Sequence, residues 1–276
     1  MKRFAVAFAC CLILAACGDN GAPSSRATAK SSPFSGKVDI GDRSLYLKCD
    51  GSGSPTVIFE AGLTGDHRTW DQVLPRTGAK SRACAYDRAN IDPSDPAPTP
   101  RTVTDMVADL HKLLRASGEK PPYVLAGFSF GGLAAQLYAS TYPDEVVGMV
   151  LVESNHPDEV EQFEAELTPA QIAEDRKSVS ENTEGIDVFA SFKEMQAPSR
   201  LPDLPLVVVT AGVPEEWPPG WDAKVFNRLR AEQQADLVRL VPGGDQVIAD
   251  KSAHNVPLEQ PDVVVKAVQS VLSKAK

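Results

Sequence analysis

The stretch Tyr123-Val124-Leu125-Ala126-Gly127-Phe128-Ser129-Phe130-Gly131-Gly132 decides how this chain is expected to fold. An apolar run typical of a buried strand leads to a serine that has one glycine two residues before it and another two residues after it. A strand can turn sharply into a helix only where these flanking residues lack bulk, because the two elements then nearly touch. The pattern therefore predicts a strand, a strained turn at Ser129 and a helix, which makes Ser129 a candidate nucleophile.

Short β-rich runs alternate with helical patterns on both sides of this turn. Such alternation predicts a largely parallel sheet that is covered by helices on both faces. The first two runs are joined by Gly41-Asp42 and predict an antiparallel hairpin. The eight predicted strands span residues 37–40, 44–48, 56–59, 82–86, 123–126, 147–152, 206–210 and 237–241.

Three segments have the apolar spacing of helices that pack on a sheet or on one another. One helix is predicted between Thr102 and Gly118, and the last begins near Pro261. The third segment, about residues 157–200, lies between the sixth and seventh predicted strands and is too long for a plain loop. We interpret it as a small helical cap over the serine, and a surface insertion without a covering role is the alternative.

The first 16 residues have the pattern of a targeting signal: Lys2-Arg3, an apolar run too short to span a membrane, and small residues before Cys17. Leu14-Ala15-Ala16-Cys17 resembles the lipobox of bacterial lipoproteins, in which the cysteine becomes the lipid-modified first residue. We therefore predict a lipoprotein signal peptide at 1–16, a lipidated cysteine and flexible linker at 17–36, and a folded domain at 37–276. Gly18 resembles the residue found in lipoproteins sent to the outer membrane, which predicts an exported protein facing the periplasm. An ordinary secretory signal is the alternative.

Charge and composition restrict the partners of the chain. The formal net charge is −9, and an acidic chain without a basic run is not expected to bind nucleic acid. No zinc-type spacing of cysteine and histidine occurs in the sequence, and no metal or organic cofactor is predicted. Cys49 and Cys84 remain after the cysteines of the signal and anchor are set aside, and such a pair in an exported protein suggests one disulfide.

The order of predicted elements resembles the α/β-hydrolase superfamily: eight strands, the serine turn after the fifth, an insertion after the sixth and a late histidine. Together with residues 123–132, the segments Cys84-Ala85-Tyr86-Asp87-Arg88-Ala89-Asn90 and Tyr142-Pro143-Asp144-Glu145-Val146 are similar to a bacterial branch of single-domain serine hydrolases. The resemblance covers about residues 37–276. It implies an α/β-hydrolase fold in which the second and fourth strands are neighbours, so that Cys49 and Cys84 can pair. We expect Asp87 and Arg88 to brace the loop after the fourth strand by an ion pair.

The resemblance also implies a catalytic triad around Ser129. His254 lies where the fold places the general base, before the final helix, whereas three other histidines lie elsewhere along the chain: His67, His111 and His156. The acid is open between two places. Glu153 at the end of the sixth strand is favoured, because a partly buried carboxylate there can fix the tautomer of the base. Glu215 or Glu216, in the loop after the seventh strand, is the alternative.

The implied oxyanion hole consists of the backbone N–H groups of Phe130 and Leu63. The expected reaction is acyl transfer through an acyl-enzyme on Ser129, with small or medium hydrophobic esters as substrates. A peptidase, thioesterase or haloperoxidase-like activity can use the same triad, and a non-catalytic binding lipoprotein that keeps the scaffold is an alternative of another class. The membrane is the second expected partner, through lipid on Cys17, and the sequence leaves the oligomeric state open.

Overall fold

The computed structural model describes residues 33–196 and 201–275. The predicted signal peptide, Cys17 and most of the predicted linker lie outside the described residues. Within that part of the chain, no helix combines the length and the apolar character needed to cross a membrane.

A single eight-stranded sheet has the strand order β1-β2-β4-β3-β5-β6-β7-β8. The first strand pairs antiparallel with the second and the second antiparallel with the fourth, and all other neighbours are parallel. The mostly parallel sheet predicted from the sequence is therefore confirmed. The strands are β1 (Phe34–Asp39), β2 (Ser44–Asp50), β3 (Thr56–Glu60), β4 (Ala83–Tyr86), β5 (Tyr123–Phe128), β6 (Val146–Val152), β7 (Leu206–Ala211) and β8 (Asp245–Ala249).

Two strand predictions differ from the structure. Strand β1 begins at Phe34, three residues before the predicted start. The prediction of a strand at 237–241 is wrong, because Leu237 is buried at the end of a helix and β8 lies at Asp245–Ala249. Helix α7 ends at Val238, and Leu237 and Val241 are apolar because they are buried in the core beside the sheet. In the edge strand β8 four of the five residues are exposed, Val247 and Ile248 among them, so its sequence lacks the alternation of a half-buried strand.

Helices cover both faces of the sheet, and alternate residues of the central strands point to the two sides. On one side Ile58 and Leu125 pack with α2, α3 and the end of α7, and on the other Val57 and Val124 pack with α1, α8 and α9. The helices are α1 (Leu74–Gly78), α2 (Val103–Ser117), α3 (Phe130–Thr141), α4 (Glu159–Glu164), α5 (Pro169–Ser180), α6 (Val188–Met195), α7 (Ala223–Val238), α8 (Val256–Glu259) and α9 (Pro261–Lys274).

The predicted helix boundaries and the helical insertion are confirmed. Helix α2 is preceded by the capping residue Thr102 and ends at Gly118, whose φ of 75° lies in the left-handed region that favours glycine. Helix α9 begins at the predicted Pro261. Between β6 and β7 the chain forms α4, α5 and α6, which is the small helical cap expected between the sixth and seventh strands.

A disulfide joins Cys49 on β2 to Cys84 on β4. The two residues are directly opposite each other in the antiparallel pair, with a Cα–Cα distance of 4.1 Å, and both are fully buried. The disulfide predicted for an exported chain is therefore present in the structure.

Candidate active site

Ser129 occupies the sharp turn that the sequence predicts, between the end of β5 and the start of α3. Its backbone has φ 52° and ψ −124°, a strained conformation for a residue with a side chain. Glycine is required on both sides of Ser129, because a side chain at either position would collide with the backbone. A Cβ atom on Gly127 would lie 2.6 Å from the carbonyl oxygen of Gly131, and one on Gly131 would lie 2.3 Å from that of Ala61. The turn therefore has room for no larger residue at either position.

The sheet register brings the other predicted residues to the same edge. Gly127 on β5 is paired with Glu60 at the end of β3 and with Leu151 near the end of β6. Because these strands are parallel, the loop after β3 and the residue after β6 both leave the sheet beside Ser129. This arrangement places the loop that contains Leu63 on one side of the serine and Glu153 on the other.

His254 lies between β8 and α8 and reaches the serine hydroxyl. Its Nε2 atom is 3.1 Å from Ser129 Oγ, within hydrogen-bond distance. The imidazole ring also packs on Phe128, with ring centroids 5.0 Å apart. A histidine in this position can accept the hydroxyl proton, as the general base of the predicted triad would.

Two of the three candidate acids approach the other nitrogen of the imidazole. The distance to His254 Nδ1 is 3.6 Å from Glu153 Oε2 and 3.8 Å from Glu215 Oε1, and Nδ1 is buried without a hydrogen bond to any described residue. Glu153 is only 2% exposed, and its other carboxylate oxygen accepts a hydrogen bond of 2.6 Å from the N–H of Ala211. Glu216 makes no ion pair with His254 among the described residues and is exposed.

The residues of the predicted oxyanion hole lie beside Ser129. Leu63 and Phe130 line the same cavity as the serine, and neither backbone N–H donates to another group in the described part of the chain. Phe130 is the first residue of α3, where the N–H groups have no partner within the helix. The loop before Leu63 passes close to the serine, because a Cβ atom on Gly62 would lie 3.3 Å from Ser129 Cβ.

The cap helices form one wall of a cavity of about 380 Å³ next to Ser129. Its lining includes residues from α4, α5 and α6 and from the loop after β7, so the insertion covers the serine. Six aromatic rings contribute to the walls, those of Phe130, Phe163, Phe189, Phe192, Trp217 and Trp221. A cavity of this size with an apolar surface suits a small or medium hydrophobic group.

Carboxylates are the second feature of the cavity wall. Five of them line it, and Arg230 is the cation among the described lining residues. Burial, and then the nearby carboxylates of Glu164 and Glu159, raise the pKa of Asp175. The carboxylates are Glu159, Glu164, Asp175, Glu215 and Glu216.

The sequence did not indicate three polar residues that connect the serine to Glu215. Ser129 Oγ lies 3.5 Å from Asn155 Oδ1, and Asn155 Nδ2 donates to Glu159 at 2.6 Å. Arg230 then donates to Glu159 at 2.9 Å and lies 3.6 Å from Glu215. Burial lowers the pKa of Arg230, but the neighbouring carboxylates, above all that of Glu159, outweigh burial and raise it. Glu215 in turn lies 3.8 Å from His254, so these polar residues connect the serine to its histidine by a second route.

The predicted ion pair between Asp87 and Arg88 is not formed. Asp87 instead accepts hydrogen bonds from the backbone N–H of His67, at 2.6 Å, and pairs with the His67 ring at 2.8 Å. Arg88 turns the opposite way and binds Glu60 and Glu184, so it braces the loop after β3 rather than the loop after β4. Side chains of adjacent residues in an extended chain point to opposite sides, which agrees with the different partners of Asp87 and Arg88.

The other histidines lie away from the serine. His67 binds Asp87, and His111 is stacked on Tyr142 with ring centroids 3.9 Å apart. Burial lowers the pKa of His156, whose Nδ1 accepts a hydrogen bond from the backbone of Asp158. None of the three contacts Ser129 in the described structure, whereas His254 lies within hydrogen-bond distance of its hydroxyl.

Comparison with known proteins places this architecture in a family. The protein YqjL of Bacillus subtilis, which is uncharacterised, is 26% identical over 227 residues, or 80% of this chain and 85% of that protein. Several further relatives are matched over 16% to 42% of their own length.

Solved structures share the fold at low sequence identity. An esterase from Thermogutta terrifontis has a TM-score of 0.62 and 20% identity, over 87% of this chain and 98% of that one. Carboxylesterase CesB from Bacillus subtilis has a TM-score of 0.60 and 18% identity, over 88% of this chain and 92% of that one. A family model described as the alpha/beta hydrolase fold matches residues 55–254, well over half of the chain. The chain therefore belongs to the α/β-hydrolase family.

Proposed function

We propose that this protein is a serine hydrolase that cleaves carboxylic esters of small or medium hydrophobic acids. The observation that carries the proposal is the 3.1 Å approach of His254 Nε2 to Ser129 Oγ at a strained turn. The aromatic walls of the cavity beside the serine support it, as do the backbone N–H groups of Leu63 and Phe130, which have no partner among the described residues.

The reaction follows from these positions. His254 accepts the proton of Ser129 while the serine oxygen attacks the ester carbonyl, and the N–H groups of Leu63 and Phe130 stabilise the negative oxygen of the tetrahedral intermediate. His254 then gives the proton to the departing alcohol, which leaves an acyl group on Ser129. Water, deprotonated by His254, attacks the acyl group by the same route and releases the acid.

We propose Glu153 as the acid of the triad. Its carboxylate is buried and fixed by the N–H of Ala211, so it can hold the imidazole of His254 in one orientation and stabilise the imidazolium. The second candidate, Glu215, is 28% exposed and also directed to Arg230 at 3.6 Å. A small cavity of about 170 Å³ is lined by both carboxylates and His254, which leaves room for the imidazole to shorten its distance to either.

Hydrolysis of p-nitrophenyl acetate and butyrate tests the proposal. The purified chain, produced where disulfides form, should hydrolyse both esters, and Ser129→Ala and His254→Ala should each lose about 10³-fold or more in kcat/KM. Ser178→Ala, an exposed serine on the cap, is the matched control and should keep wild-type rates. A fluorophosphonate probe should label the wild type and not Ser129→Ala. Equal ester hydrolysis by all four proteins would contradict the proposal and favour a binding protein.

We further propose that the protein is held at the outer membrane by lipid on Cys17. The support is the lipobox-like segment that ends at Cys17 and the position of β1, which begins only at Phe34. A flexible linker of that length reaches roughly 20–25 Å, enough to keep the domain clear of the lipid surface. In a bacterial host, wild-type chain should incorporate radiolabelled palmitate and sediment with outer membranes. Cys17→Ser should do neither, and unchanged fractionation would contradict this assignment.

A further inference from the structure

One residue of the cap has a side chain that is buried in the interior of the protein. Glu184 lies between α5 and α6, and it is only 1% exposed. One of its carboxylate oxygens accepts a hydrogen bond of 3.0 Å from the backbone N–H of Thr64, the residue after Leu63. Its backbone is anchored too, since Asn90 donates to the Glu184 carbonyl at 2.9 Å. This carboxylate is therefore fixed directly beneath the loop that carries a proposed oxyanion donor.

Arg88 completes the support from the other side. Its guanidinium is buried and donates to the carbonyl oxygens of Ala61, at 2.7 Å, and Gly62, at 2.6 Å. The same group binds both oxygens of Glu184, at 2.9 Å for Oε2, and Glu60 at 2.7 Å. Burial lowers the pKa of Arg88, but the charge and hydrogen bonds of Glu184 and the charge of Glu60 together outweigh burial and raise it, so the guanidinium stays charged.

These contacts determine the direction of the Leu63 N–H. A peptide unit is planar and trans, so the carbonyl of Gly62 and the N–H of Leu63 point in opposite directions from one rigid group. Arg88 holds that carbonyl, and with it the N–H. The following peptide unit joins the Leu63 carbonyl to the Thr64 N–H, which Glu184 holds. Both peptide units that flank Leu63 are therefore fixed by one buried ion pair.

The backbone at this point also needs an external restraint. Thr64 has a φ of 58°, which is an unfavourable conformation for a β-branched residue. Such a conformation persists only where surrounding contacts enforce it. The hydrogen bond from Thr64 to Glu184 is one such contact, and without it the loop would be free to relax from this conformation and to change the direction of the Leu63 N–H.

We propose that Glu184 and Arg88 are positioning residues for the oxyanion hole. The cap then supplies part of the catalytic framework, in addition to covering the cavity. This inference rests on the proposed function, because it assigns a role to the Leu63 N–H in ester hydrolysis. Glu184 acts through the backbone and touches no reacting atom.

Substitutions at Glu184 test the inference by kinetics. Glu184→Ala should lower kcat for p-nitrophenyl acetate by about 10²-fold, the scale of losing one oxyanion donor, with KM within about 3-fold of wild type. Glu184→Gln keeps the shape of the side chain and one acceptor oxygen, so it should lower kcat by a smaller factor, again with little change in KM. Glu181→Ala and Glu181→Gln, at an exposed position on the same cap, are the matched controls and should keep wild-type kcat.

A second readout separates positioning from general stability. A trifluoromethyl ketone that forms a tetrahedral adduct with Ser129 should lose affinity in proportion to the loss of kcat/KM across the Glu184 variants. Circular dichroism should show each variant folded at the assay temperature. Wild-type kcat in folded Glu184→Ala, or a rise in KM with kcat unchanged, would overturn the inference and leave the proposed function standing.

Hydrogen exchange of the Thr64 amide tests its contact with Glu184 independently of catalytic activity. If the wild type hydrolyses no ester, the proposed function fails, and exchange of the Thr64 amide still tests the physical contact. The amide should exchange faster in Glu184→Ala and Glu184→Gln than in the Glu181 controls, by about 10-fold or more for the alanine variant. Equal protection in all variants would overturn the claim that Glu184 holds this loop.

Discussion

At the scale of single residues, the environment of His254 decides which carboxylate completes the site. Glu153 and Glu215 lie at nearly equal distances from Nδ1, 3.6 and 3.8 Å, yet their surroundings differ. Glu153 is buried and follows directly from β6 with a φ of 44°, whereas Glu215 is partly exposed and shared with Arg230. A carboxylate that is fixed in place holds the imidazole better than one that can turn to a second partner.

Replacing Glu153 or Glu215 with glutamine distinguishes the two candidate acids. Glu153→Gln should lower kcat for p-nitrophenyl acetate by about 10³–10⁴-fold, because the amide no longer stabilises the imidazolium. Glu215→Gln should lower kcat by less than about 10-fold, and Glu174→Gln, at an exposed position outside the cavity lining, serves as the control. A large loss in Glu215→Gln alone would reverse the assignment.

Arg230 has a structural role that the neighbouring Arg228 does not share. The side chain of Arg230 is 12% exposed and neutralises Glu159 and Glu215 near the cavity, while Arg228 forms an exposed pair with Glu232. Arg230→Met leaves two carboxylates without their cation and should lower the free energy of unfolding by about 3 kcal/mol. Arg228→Met should change it by less than about 1 kcal/mol. Urea unfolding of both variants measures this difference, and equal values would contradict it.

Site residues that can be predicted from the sequence differ in their placement from those that cannot. Ser129 and His254 sit next to turns and helix starts that leave a local pattern, so their positions could be predicted. Glu184, Asn155 and Arg230 carry no such pattern. Each acquires its role only when loops distant in the chain meet, as in the contact between Glu184 and Thr64. A buried acid between two cap helices looks like any charged turn when read in sequence alone.

At the scale of elements, prediction succeeded where an element is buried and failed where it is exposed. Strands β3, β4 and β5 are buried at every position, and all three were placed from their apolar runs. The sequence of the edge strand β8 does not indicate a strand, because its side chains are mostly exposed, and the apolar residues at the end of α7 resemble one more closely. The order of elements still led to His254, since the final helix was recognised independently by its own apolar stripe.

Strands β2 and β4 are joined by a covalent bond in addition to their backbone hydrogen bonds. Their disulfide closes a loop across a sequence separation of 35 residues. In the chain-entropy account, a loop of this length contributes about 3–4 kcal/mol to the free energy of unfolding. The double variant Cys49→Ala/Cys84→Ala should be destabilised by about that amount in urea. Dithiothreitol should destabilise the wild type similarly and leave the double variant unchanged, and a reductant effect on the double variant would contradict the assignment.

At the scale of the whole molecule, charge should govern which esters reach the serine. The chain carries a formal net charge of −9, and five carboxylates line the cavity beside Ser129, with Arg230 the cation among the described lining residues. An acidic protein with an acidic cavity repels anions at long range and again at the site. Neutral hydrophobic esters are therefore expected to react in preference to esters that carry a carboxylate.

Two matched substrates measure this effect. The mono-p-nitrophenyl ester of succinate should have a kcat/KM at least about 10-fold below that of p-nitrophenyl butyrate. The gap between the two kcat/KM values should narrow as salt is raised from about 0.01 to about 0.5 M, because salt screens the repulsion. Asp175→Asn and Glu216→Gln should each narrow the gap at low salt, since each removes a carboxylate that lines the cavity without an ion-pair partner among the described residues. Glu174→Gln, on the exposed side of the same helix as Asp175, should leave it unchanged. Equal rates on the two esters at low salt would show that the cavity charge does not select substrates, because repulsion of this kind acts on every anion that enters.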